Sequence, residues 1–389
     1  MKKILFITSR LPYPPIGGDR LKAYWLLKIL SKHFEVHLVS IANAKIDKEF
    51  YDWADENGLS YKLFQKSKKH FYYNVLNGVF LNRLPLQVNY YYFKDVQNYI
   101  NNIYENFDIL FGVLIRTARY IIDKEKPKIL EMTDSIGLNY LRSVKRTSSI
   151  KWKYIYLIEG SRLIRFERYC INNFSKTLFV NNQEREYFNL SEKTEWMPNG
   201  VNENLLNYEK KDSKYSNCIA FFGKMDYQPN VDAVLWFVKN VLPFLNRKLK
   251  FVIVGANPIK TIQNLSRHYK NIDVTGFIED PYLILKSALC IVAPMQTGGG
   301  VQNKILECMA LGTINIVSSL AAAPIGAESG KHLLVVDDSR ELIERINEIY
   351  ENPGKYETLK LNAREFIRNN FTWRIYEKKL LQIIHDLLK

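Results

Sequence analysis

The chain has 389 residues, of which 47% are hydrophobic, and it carries a formal net charge of +15. That length exceeds what a single hydrophobic core usually serves, so two domains are expected. The four cysteines form no CxxC pair and no run of about 18 apolar residues occurs, which excludes a disulfide framework, a zinc site and a membrane-spanning helix. The opening segment MKKILFITSR loses its apolar character by Ser9 and is interpreted as a strand, so the expected location is the cytoplasm.

The positive charge calls for an anionic partner, which can be nucleic acid, anionic lipid or a phosphorylated substrate. Lysines accompany aromatic residues in KSKKHFYY at 66–73 and in KWKY at 151–154. This pattern suits a peripheral surface that rests on anionic headgroups at the inner face of the cell membrane. It equally suits single-stranded nucleic acid or a plain solvated surface, and composition does not choose among them.

A βαβ unit is predicted at the N-terminus, with strands over Lys3–Thr8 and 35–41 around a helix over 19–31. The loop RLPYPPIGGD lies between the first strand and the helix. Its Gly17 and Gly18 admit a ligand, and Asp19 is expected to cap the helix. Ligands of open α/β sheets lie outside the carboxyl ends of the strands, so this loop is predicted to face a ligand.

Residues 45–106 have a mostly helical, aromatic-rich pattern, although VNYYYF at 88–93 could equally form a strand. Further strands are predicted at 109–114 and 128–132, and Asp134 follows the second of them at its carboxyl end. That position makes Asp134 a site candidate. An N-cap of the following helix is an interpretation of equal weight.

A helix at 149–173 and a strand at 177–181 complete the first domain, which the segment WMPNGVN at 196–202 closes. The charged segment 208–217 is interpreted as a linker. Lys224 follows the first strand of the second domain, where it either contacts a phosphate or is an ordinary surface lysine. The second domain repeats the alternation, with strands predicted at 219–222, 251–254, 272–275, 289–293 and 314–318 and helices at 232–241, 283–288, 339–351, 356–369 and 373–388.

The segment IVAPMQTGGGVQNKILECMALG at 291–312 predicts a strand, a glycine turn and a helix in immediate succession. The glycines let backbone N–H groups approach a ligand, and a helix N-terminus with Lys304 in its first turn suits a phosphate. Glu307, one turn further on, would then reach the hydroxyls of an attached sugar. Alternatively, Lys304 and Glu307 form a solvated pair worth about 0.2–0.5 kcal/mol. The spacings of a Walker A loop and of GxGxxG are both absent.

Taken in order, these segments resemble the family 4 glycosyltransferases, which are retaining enzymes of the B-type fold, with two Rossmann-like α/β domains facing across a cleft. The resemblance covers nearly the whole chain, and the subset it is most similar to makes bacterial surface polysaccharides or lipid-linked sugars. RLPYPPIGGD, MPNGVN, EGSRLIRFERYC and LFVNNQEREYF match the first domain. The segments that match the second domain are FFGKMDYQPNVDAVLWFVKNVLPFL at 221–245, FVIVGANP at 251–258, VTGFIEDPYLILKSALCIVAP at 274–294 and GGGVQNKILECMALG at 298–312.

The resemblance implies an acceptor-side domain at 1–205, a donor domain at 206–372 and a C-terminal helix at 373–389 that packs back on the first domain. It implies transfer of a hexose or related sugar from a nucleotide-diphosphate sugar to a glycan or lipid-linked acceptor. UDP or GDP is the expected product, and no metal, cofactor or nucleic-acid partner is expected. Two alternatives stay open, a nucleotide-sugar epimerase on the same fold and a non-enzymatic, basic nucleic-acid binder.

Residue by residue, the resemblance assigns Glu307 to the ribose hydroxyls of the nucleotide and Lys304 to the donor diphosphate. Asn230 stands where a second basic residue is usual. No histidine occurs where one often meets the donor sugar, so no base is assigned on the resemblance, and Lys304 and Asp134 are the catalytic candidates. The further donor-binding residues that it implies are Gly17, Gly18, Lys224, Ile278, Gly298, Gly299 and Gly300, with Gly299 replacing a glutamate that many members carry.

Overall fold

The chain separates into two compact units, each of which is an α/β unit. Unit 1 consists of Met1–Pro198 and Glu377–Lys389, and unit 2 consists of Asn199–Tyr376. The computed structural model describes residues 1–389 apart from Ile16, Ala44, Lys45, Asn82, Arg83, Lys145, Arg146, Ser148 and Gly299.

The described part of unit 1 contains a parallel sheet of seven strands in the order β3-β2-β1-β4-β5-β6-β7. The central strand β1 has the sequence KILFIT and is buried from Ile4 onward, as a parallel strand covered on both faces must be. The elements are β1 Lys3–Thr8, α1 Gly18–Leu30, β2 Glu35–Ala42, α2 Lys48–Glu56, β3 Ser60–Gln65, α3 Lys68–Leu81, α4 Leu86–Tyr90, α5 Lys94–Ile103, β4 Ile109–Val113, α6 Ile115–Ala118, β5 Lys128–Thr133, α7 Ile136–Val144, α8 Ile150–Asn173, β6 Lys176–Phe179, α9 Asn182–Phe188 and β7 Thr194–Trp196.

The order of the strands in unit 1 reverses between β1 and β4. Strand β1 pairs with β2 on one side, where Lys3 faces Glu35, and with β4 on the other, where Ile4 faces Ile109. The loops that leave the carboxyl ends of β1 and β4 therefore diverge to opposite faces of the sheet. Such a switch point leaves a crevice in which open α/β sheets bind their ligands.

Unit 2 repeats this plan with a parallel sheet of six strands, within the described residues, in the order β10-β9-β8-β11-β12-β13. Its switch point lies between β8 and β11, where Ile219 faces Cys290. Two parallel Rossmann-like sheets confirm the predicted α/β fold class. The elements are β8 Cys218–Phe222, α10 Gln228–Asn240, β9 Lys250–Val254, α11 Lys260–His268, β10 Ile272–Gly276, α12 Tyr282–Ser287, β11 Cys290–Ala293, α13 Asn303–Ala310, β12 Asn315–Val317, α14 Ser319–Ala322, β13 Leu334–Val335, α15 Ser339–Glu351, α16 Glu357–Asn370 and α17 Trp373–Leu388.

The last helix, α17, begins in unit 2 and continues in unit 1 from Glu377 onward. The Glu377 carboxylate lies 3.1 Å from Lys32 Nζ and 2.8 Å from His33 Nε2, both in the turn after α1. Leu380 and Ile384, on the same helix, are buried. The part of α17 that belongs to unit 1 is thus held by an apolar stripe and by polar contacts.

Most of the predicted elements are confirmed, and three details are corrected. Residues 60–65, within the segment predicted to be mostly helical, form β3, whose alternating burial fits its place at the sheet edge. Residues 88–93, for which helix and strand were both open, begin in a helix, because α4 covers Leu86–Tyr90. Helix α1 is N-capped by Gly17, so Asp19 lies in the first turn instead of at the cap.

The cysteines and the helices agree with the expectations drawn from composition. All four cysteines are buried and unpaired, as predicted. Across the described residues, no helix combines the length and the apolar character that crossing a membrane would require.

Candidate functional site

The carboxyl ends of the strands in unit 2 carry most of the predicted donor-binding residues. Lys224 follows β8, Ile278 follows β10, and the glycine-rich loop follows β11. Because β8 and β11 flank the switch point, their loops border the crevice where a ligand is expected. The structure therefore brings Lys224 and the start of α13 to one edge of the same sheet.

The loop between β11 and α13 bends as its glycines permit. Gly298 has a φ of 116° and Gly300 a φ of 80°, values that favour glycine, whereas Gly299 lies outside the described residues. Helix α13 follows with Gln302 at its N-cap, and the Gln302 side chain makes no capping hydrogen bond. Ile305 N donates to Gln302 O at 2.9 Å, whereas the N–H groups of Asn303 and Lys304 have no acceptor among the described residues. These two groups can face an anion, which the helix dipole also favours.

Lys304, in the first turn of α13, is the cation of this loop. Its Nζ donates to Asn230 Oδ1 at 2.6 Å and lies 3.4 Å from Met295 Sδ. It also lies 4.3 Å from the centroid of the Phe221 ring. Burial among these groups lowers the pKa of Lys304 to about 7, because the charged ammonium is poorly solvated there. An incoming anion would supply the negative charge that this lysine lacks.

Asn230, on α10, connects Lys304 to the loop after β8. Its Nδ2 donates to the Lys224 carbonyl at 2.9 Å while its Oδ1 accepts from Lys304. Asn230 is buried, and a Cβ on Gly223 would come within 2.7 Å of its Nδ2. Asn230, at the position where the resemblance led us to expect a second cation, is therefore an amide that joins the loop after β8 to Lys304 of α13.

Lys224 itself points away from this cluster. Its Nζ lies 3.1 Å from Asp226 Oδ2, and its side chain is half-exposed. The backbone of the loop is firmly placed, since Gly223 N donates to Val254 O and Met225 N donates to Ala256 O. Lys224 thus has the position expected for a phosphate contact together with the exposure of a surface lysine.

Glu307 lies one helical turn after Lys304, beside the ring of Tyr282. The Tyr282 hydroxyl is 3.5 Å from Glu307 Oε2, and burial raises the pKa of Glu307 to about 7. This carboxyl therefore has few partners within the protein, and hydroxyl groups of a ligand would stabilise its ionised form. A solvated pair between Lys304 and Glu307 is not what the structure shows, because each side chain has different neighbours.

The loop that carries Ile278 adjoins Glu307 through Tyr282. Gly276 has a φ of 68° at the end of β10, and Ile278 is half-buried. Asp280 accepts a hydrogen bond from the Tyr208 hydroxyl at 2.7 Å and one from Tyr282 N at 3.2 Å. These bonds hold the loop close to Glu307. A residue that contacts the base is expected next to the residue that binds the ribose.

In unit 1, Gly17 and Gly18 follow β1 at that sheet's switch point. Gly17 has a φ of 103°, and a Cβ on Gly18 would meet nothing within 4 Å, so the backbone there faces open space. Arg10 and Asp19, which flank the loop, form an ion pair at 3.1 Å. The backbone at Gly18 is thus exposed, as the glycines of this loop predicted.

Asp134 follows β5, which ends at Thr133, a residue with a φ of 63°. The Asp134 Oδ1 is shielded from solvent and makes no hydrogen bond with any residue that the structure describes. Ser135 caps α7, because Leu138 N donates to Ser135 Oγ at 3.0 Å. The N-cap interpretation of Asp134 is therefore wrong. Burial, reinforced by the carboxylates of Glu184 and Glu131, raises the pKa of Asp134 to about 7, so this carboxyl can exchange a proton near neutral pH.

The acidic neighbours of Asp134 have partners of their own. Glu184 accepts from Ser135 N and Glu167 from Ser135 Oγ, both at 2.6 Å. Glu131 lies 3.6 Å from Nζ of Lys22, and both side chains are fully buried. Burial lowers the pKa of Lys22 to about 8. Within the described residues, no group of three or more histidine, cysteine, aspartate or glutamate side chains could hold a metal ion.

Sequence reasoning missed three polar residues around α13. Asn230 was noted only as a lost cation, although its amide positions Lys304. No sequence pattern indicated Tyr282, although its hydroxyl lies 3.5 Å from Glu307 Oε2. Asn199 Nδ2 donates to Asn303 Oδ1 at 3.2 Å, at the first residue of α13, and its own Oδ1 is buried without a partner. The only signal for Asn199 was its place in the turn Asn199–Gly200.

Comparison with known proteins supports the class that this fold and site define. Residues 216–352, which include β8 to α15, match the family model described as glycosyl transferases group 1. The two sheets correspond to those of glycosyltransferases with the B-type fold. Together these findings support a glycosyltransferase.

Three distantly similar proteins match nearly the whole chain. An uncharacterized 44.6 kDa protein in the cps region of Klebsiella pneumoniae is 22% identical over 394 residues, covering 95% of this chain and 97% of that protein. The crystal structure of HepE from Anabaena in complex with UDP is 14% identical, covers 99% of this chain and 100% of its own, and has a TM-score of 0.66. Sucrose-phosphate synthase from Thermosynechococcus elongatus is also 14% identical, with coverages of 100% and 99% and a TM-score of 0.69.

Proposed function

We propose that the chain is a retaining glycosyltransferase of family 4, which moves a sugar from a nucleotide-diphosphate sugar to a glycan or lipid-linked acceptor. The observation that carries this proposal is the start of α13. An uncapped helix N-terminus, a lysine without an anionic partner and a carboxyl group one turn later meet beside the switch point of unit 2. The helix N-terminus and the lysine suit a phosphate, and the carboxyl group suits the hydroxyls of a sugar attached to that phosphate.

The donor diphosphate would lie on the N–H groups of α13 and on Lys304. The transition state of glycosyl transfer resembles an oxocarbenium ion, and negative charge grows on the departing diphosphate. Groups already aimed at that charge lower the barrier, and losing one typically costs about 10²–10³ in rate. Lys304 is held by Asn230 without an opposing carboxylate, so its proton is available to the leaving group. In a retaining reaction, the leaving phosphate would itself assist the acceptor hydroxyl on the same face.

Glu307 would accept hydrogen bonds from the ribose hydroxyls, and the Ile278 loop would contact the base. As the acceptor oxygen bonds to the sugar and the bond to the diphosphate breaks, the acceptor hydroxyl would pass its proton to the leaving phosphate. Asp134, the second proposed catalytic residue, would in its ionised form take up that proton. UDP is a plausible product because the structurally similar HepE binds UDP, and GDP is the alternative. A role in the synthesis of bacterial surface polysaccharide is proposed because a relative over the whole chain is named for a cps region.

A panel of nucleotides in thermal unfolding tests the proposal. UDP or GDP, at about 100 times its dissociation constant, should stabilise the protein by about 2.7 kcal/mol and raise Tm by several degrees. Glu307→Gln should lose most of that shift, whereas Glu344→Gln, an exposed change on α15, should keep it. The absence of a shift with every nucleotide would count against the proposal.

The two alternatives predict different results, one in thermal unfolding and one in the fate of the donor. A nucleic-acid binder would be stabilised by a single-stranded oligonucleotide at low salt and not by a nucleoside diphosphate. An epimerase would convert the sugar of the donor without an acceptor and without releasing UDP or GDP. Chromatography of the donor after incubation separates isomerisation from transfer.

A further inference from the structure

Large apolar side chains are exposed in two segments of unit 1. On α3, Tyr72, Tyr73 and Leu76 project from one face, with exposures of 63%, 62% and 61%. The first three turns of α8 expose a larger set to solvent. That set comprises Ile150, Trp152, Tyr154, Leu157 and Ile158, with exposures of 72%, 48%, 64%, 49% and 52%. Exposed apolar residues scattered singly need no explanation, but a concentration of this kind marks an interaction surface.

Helix α4 connects the two segments. The Tyr90 ring of α4 lies 5.9 Å from the Tyr72 ring of α3. At the other end of α4, Leu86 N donates to the Glu159 carboxylate of α8 at 2.7 Å. Tyr140 of α7 then links Gln87 to the aromatic residues of α8, since its hydroxyl accepts from Gln87 and its ring packs on Tyr156. We call the exposed residues of α3 and of the first three turns of α8 the α3–α8 surface.

Acidic residues are missing from both segments. Neither 57–94 nor 135–158 contains an aspartate or a glutamate, although the whole chain has 40 of them. Four exposed lysines, Lys68, Lys69, Lys151 and Lys153, stand among the apolar side chains. The α3–α8 surface is thus both apolar and uniformly basic, a combination that a solvated face does not need.

We propose that the α3–α8 surface docks on an anionic lipid bilayer. The aromatic rings and the aliphatic side chains would enter the interfacial region, while the lysines would reach the anionic headgroups. Leu76, Ile150 and Leu157 favour lipid over single-stranded nucleic acid, because an aliphatic side chain offers no ring on which a base can stack. This inference stands apart from the proposed function, since docking on lipid needs neither donor nor acceptor.

Sedimentation with vesicles tests the docking surface in the full chain. The protein should bind vesicles of equal parts phosphatidylcholine and phosphatidylglycerol, and phosphatidylcholine vesicles far less. High salt should weaken the binding because it screens the lysines. Changing Lys151→Gln together with Lys153→Gln should reduce the partition coefficient roughly 10–30-fold. Changing Trp152→Ser together with Tyr154→Ser should reduce it roughly tenfold.

A matched control comes from unit 2. Phe244 is 67% exposed, and the exposed Lys248 follows it four residues later, so Phe244→Ser with Lys248→Gln removes an aromatic ring and a lysine outside the α3–α8 surface. This variant should bind vesicles as the unaltered chain does, and Tm should be the same for all the variants. Equal binding to both kinds of vesicle, or unchanged binding by the α8 variants, would overturn the proposal. So would a dimer in sedimentation velocity that Trp152→Ser dissociates, or preferred binding to an oligonucleotide.

Discussion

The first six strands of the two sheets follow the same order, but the carboxyl ends of the strands carry opposite chemistry in the two units. In each unit the chain builds outward from a central strand and then returns to its other side, which creates one switch point per sheet. In unit 2 the loops beside that point present glycine backbone and Lys304. In unit 1 the neighbouring strand β5 ends in a cluster of carboxyl groups around Asp134.

The difference shows that topology supplies a crevice and that side chains decide its use. In unit 2 the start of α13 presents backbone N–H groups and Lys304 has no carboxylate partner among the described residues, so this place favours an anion. Unit 1 has more carboxyl groups than cations near Asp134, and this excess of negative charge helps to raise the pKa of Asp134. The Lys22–Glu131 pair is a buried exception in which each charge needs the other. On the proposed reaction, unit 2 binds the donor, while unit 1 handles protons.

The sharpest test of this division is Asp134→Asn. The amide cannot exchange a proton, so turnover should fall by about 10²–10⁴, the usual contribution of acid–base catalysis. The shift of Tm by UDP or GDP should be unchanged, because Asp134 belongs to the other unit. Release of nucleotide from the donor in the presence of acceptor measures the first effect.

Asp123→Asn, which changes an exposed carboxylate in unit 1, is the control. This variant should keep both the turnover and the nucleotide-induced shift of Tm of the unaltered chain. If Asp134→Asn turns over normally, the carboxyl cluster has a structural role only. If it loses the nucleotide shift as well, the two units do not divide the work as proposed.

Lys304→Ala should affect both assays. Turnover should fall by about 10²–10³, since one group aimed at the developing charge is lost. Nucleotide affinity should fall too, whereas Tm without ligand should change little, because the lost bond to Asn230 opposes the gain from no longer burying an ammonium. Lys239→Ala, at the exposed end of α10, is the matched control. Normal turnover by Lys304→Ala would remove α13 from the proposed site.

The affinity for a nucleotide sugar should be greatest near pH 7. Bound diphosphate favours charged Lys304, whose pKa in the free protein is about 7, so affinity should fall above that pH by up to about tenfold per unit. Ribose hydroxyls favour ionised Glu307, whose pKa is also about 7, so affinity should fall below it too. A nucleotide sugar has no terminal phosphate that titrates near pH 6, which keeps the profile simple.

Single substitutions assign the two limbs of this profile. Lys304→Ala should abolish the fall at high pH and keep the fall at low pH, whereas Glu307→Gln should do the reverse. Isothermal titration in buffers with different ionisation enthalpies measures the protons taken up or released. A flat profile for the unaltered chain would show that neither group changes its protonation on binding.

The sequence predicted the frame of the site better than its contacts. Strand ends, the glycine loop and the start of α13 follow from local patterns, since apolar runs and glycine turns are encoded by neighbouring residues. Ser135 replaced Asp134 as the cap because two adjacent polar residues each had the chemistry for it. The different neighbours of Lys304 and Glu307 could not be predicted from the sequence, because Asn230 and Tyr282 belong to elements that are distant along the chain.

Asn230→Ala is expected to have the smallest effect on turnover. It tests the contact between Asn230 and Lys304, which the sequence did not predict. The change removes the acceptor of the Lys304 bond and the donor to the Lys224 carbonyl. A neutral hydrogen bond contributes about 0.5–1.5 kcal/mol, so turnover should fall roughly three- to tenfold. The pH above which nucleotide-sugar affinity falls should also decrease, because Lys304 loses the oxygen that stabilises its charge. A purely structural Asn230 would lower Tm and leave that pH unchanged, so the pH profile distinguishes positioning of Lys304 from packing.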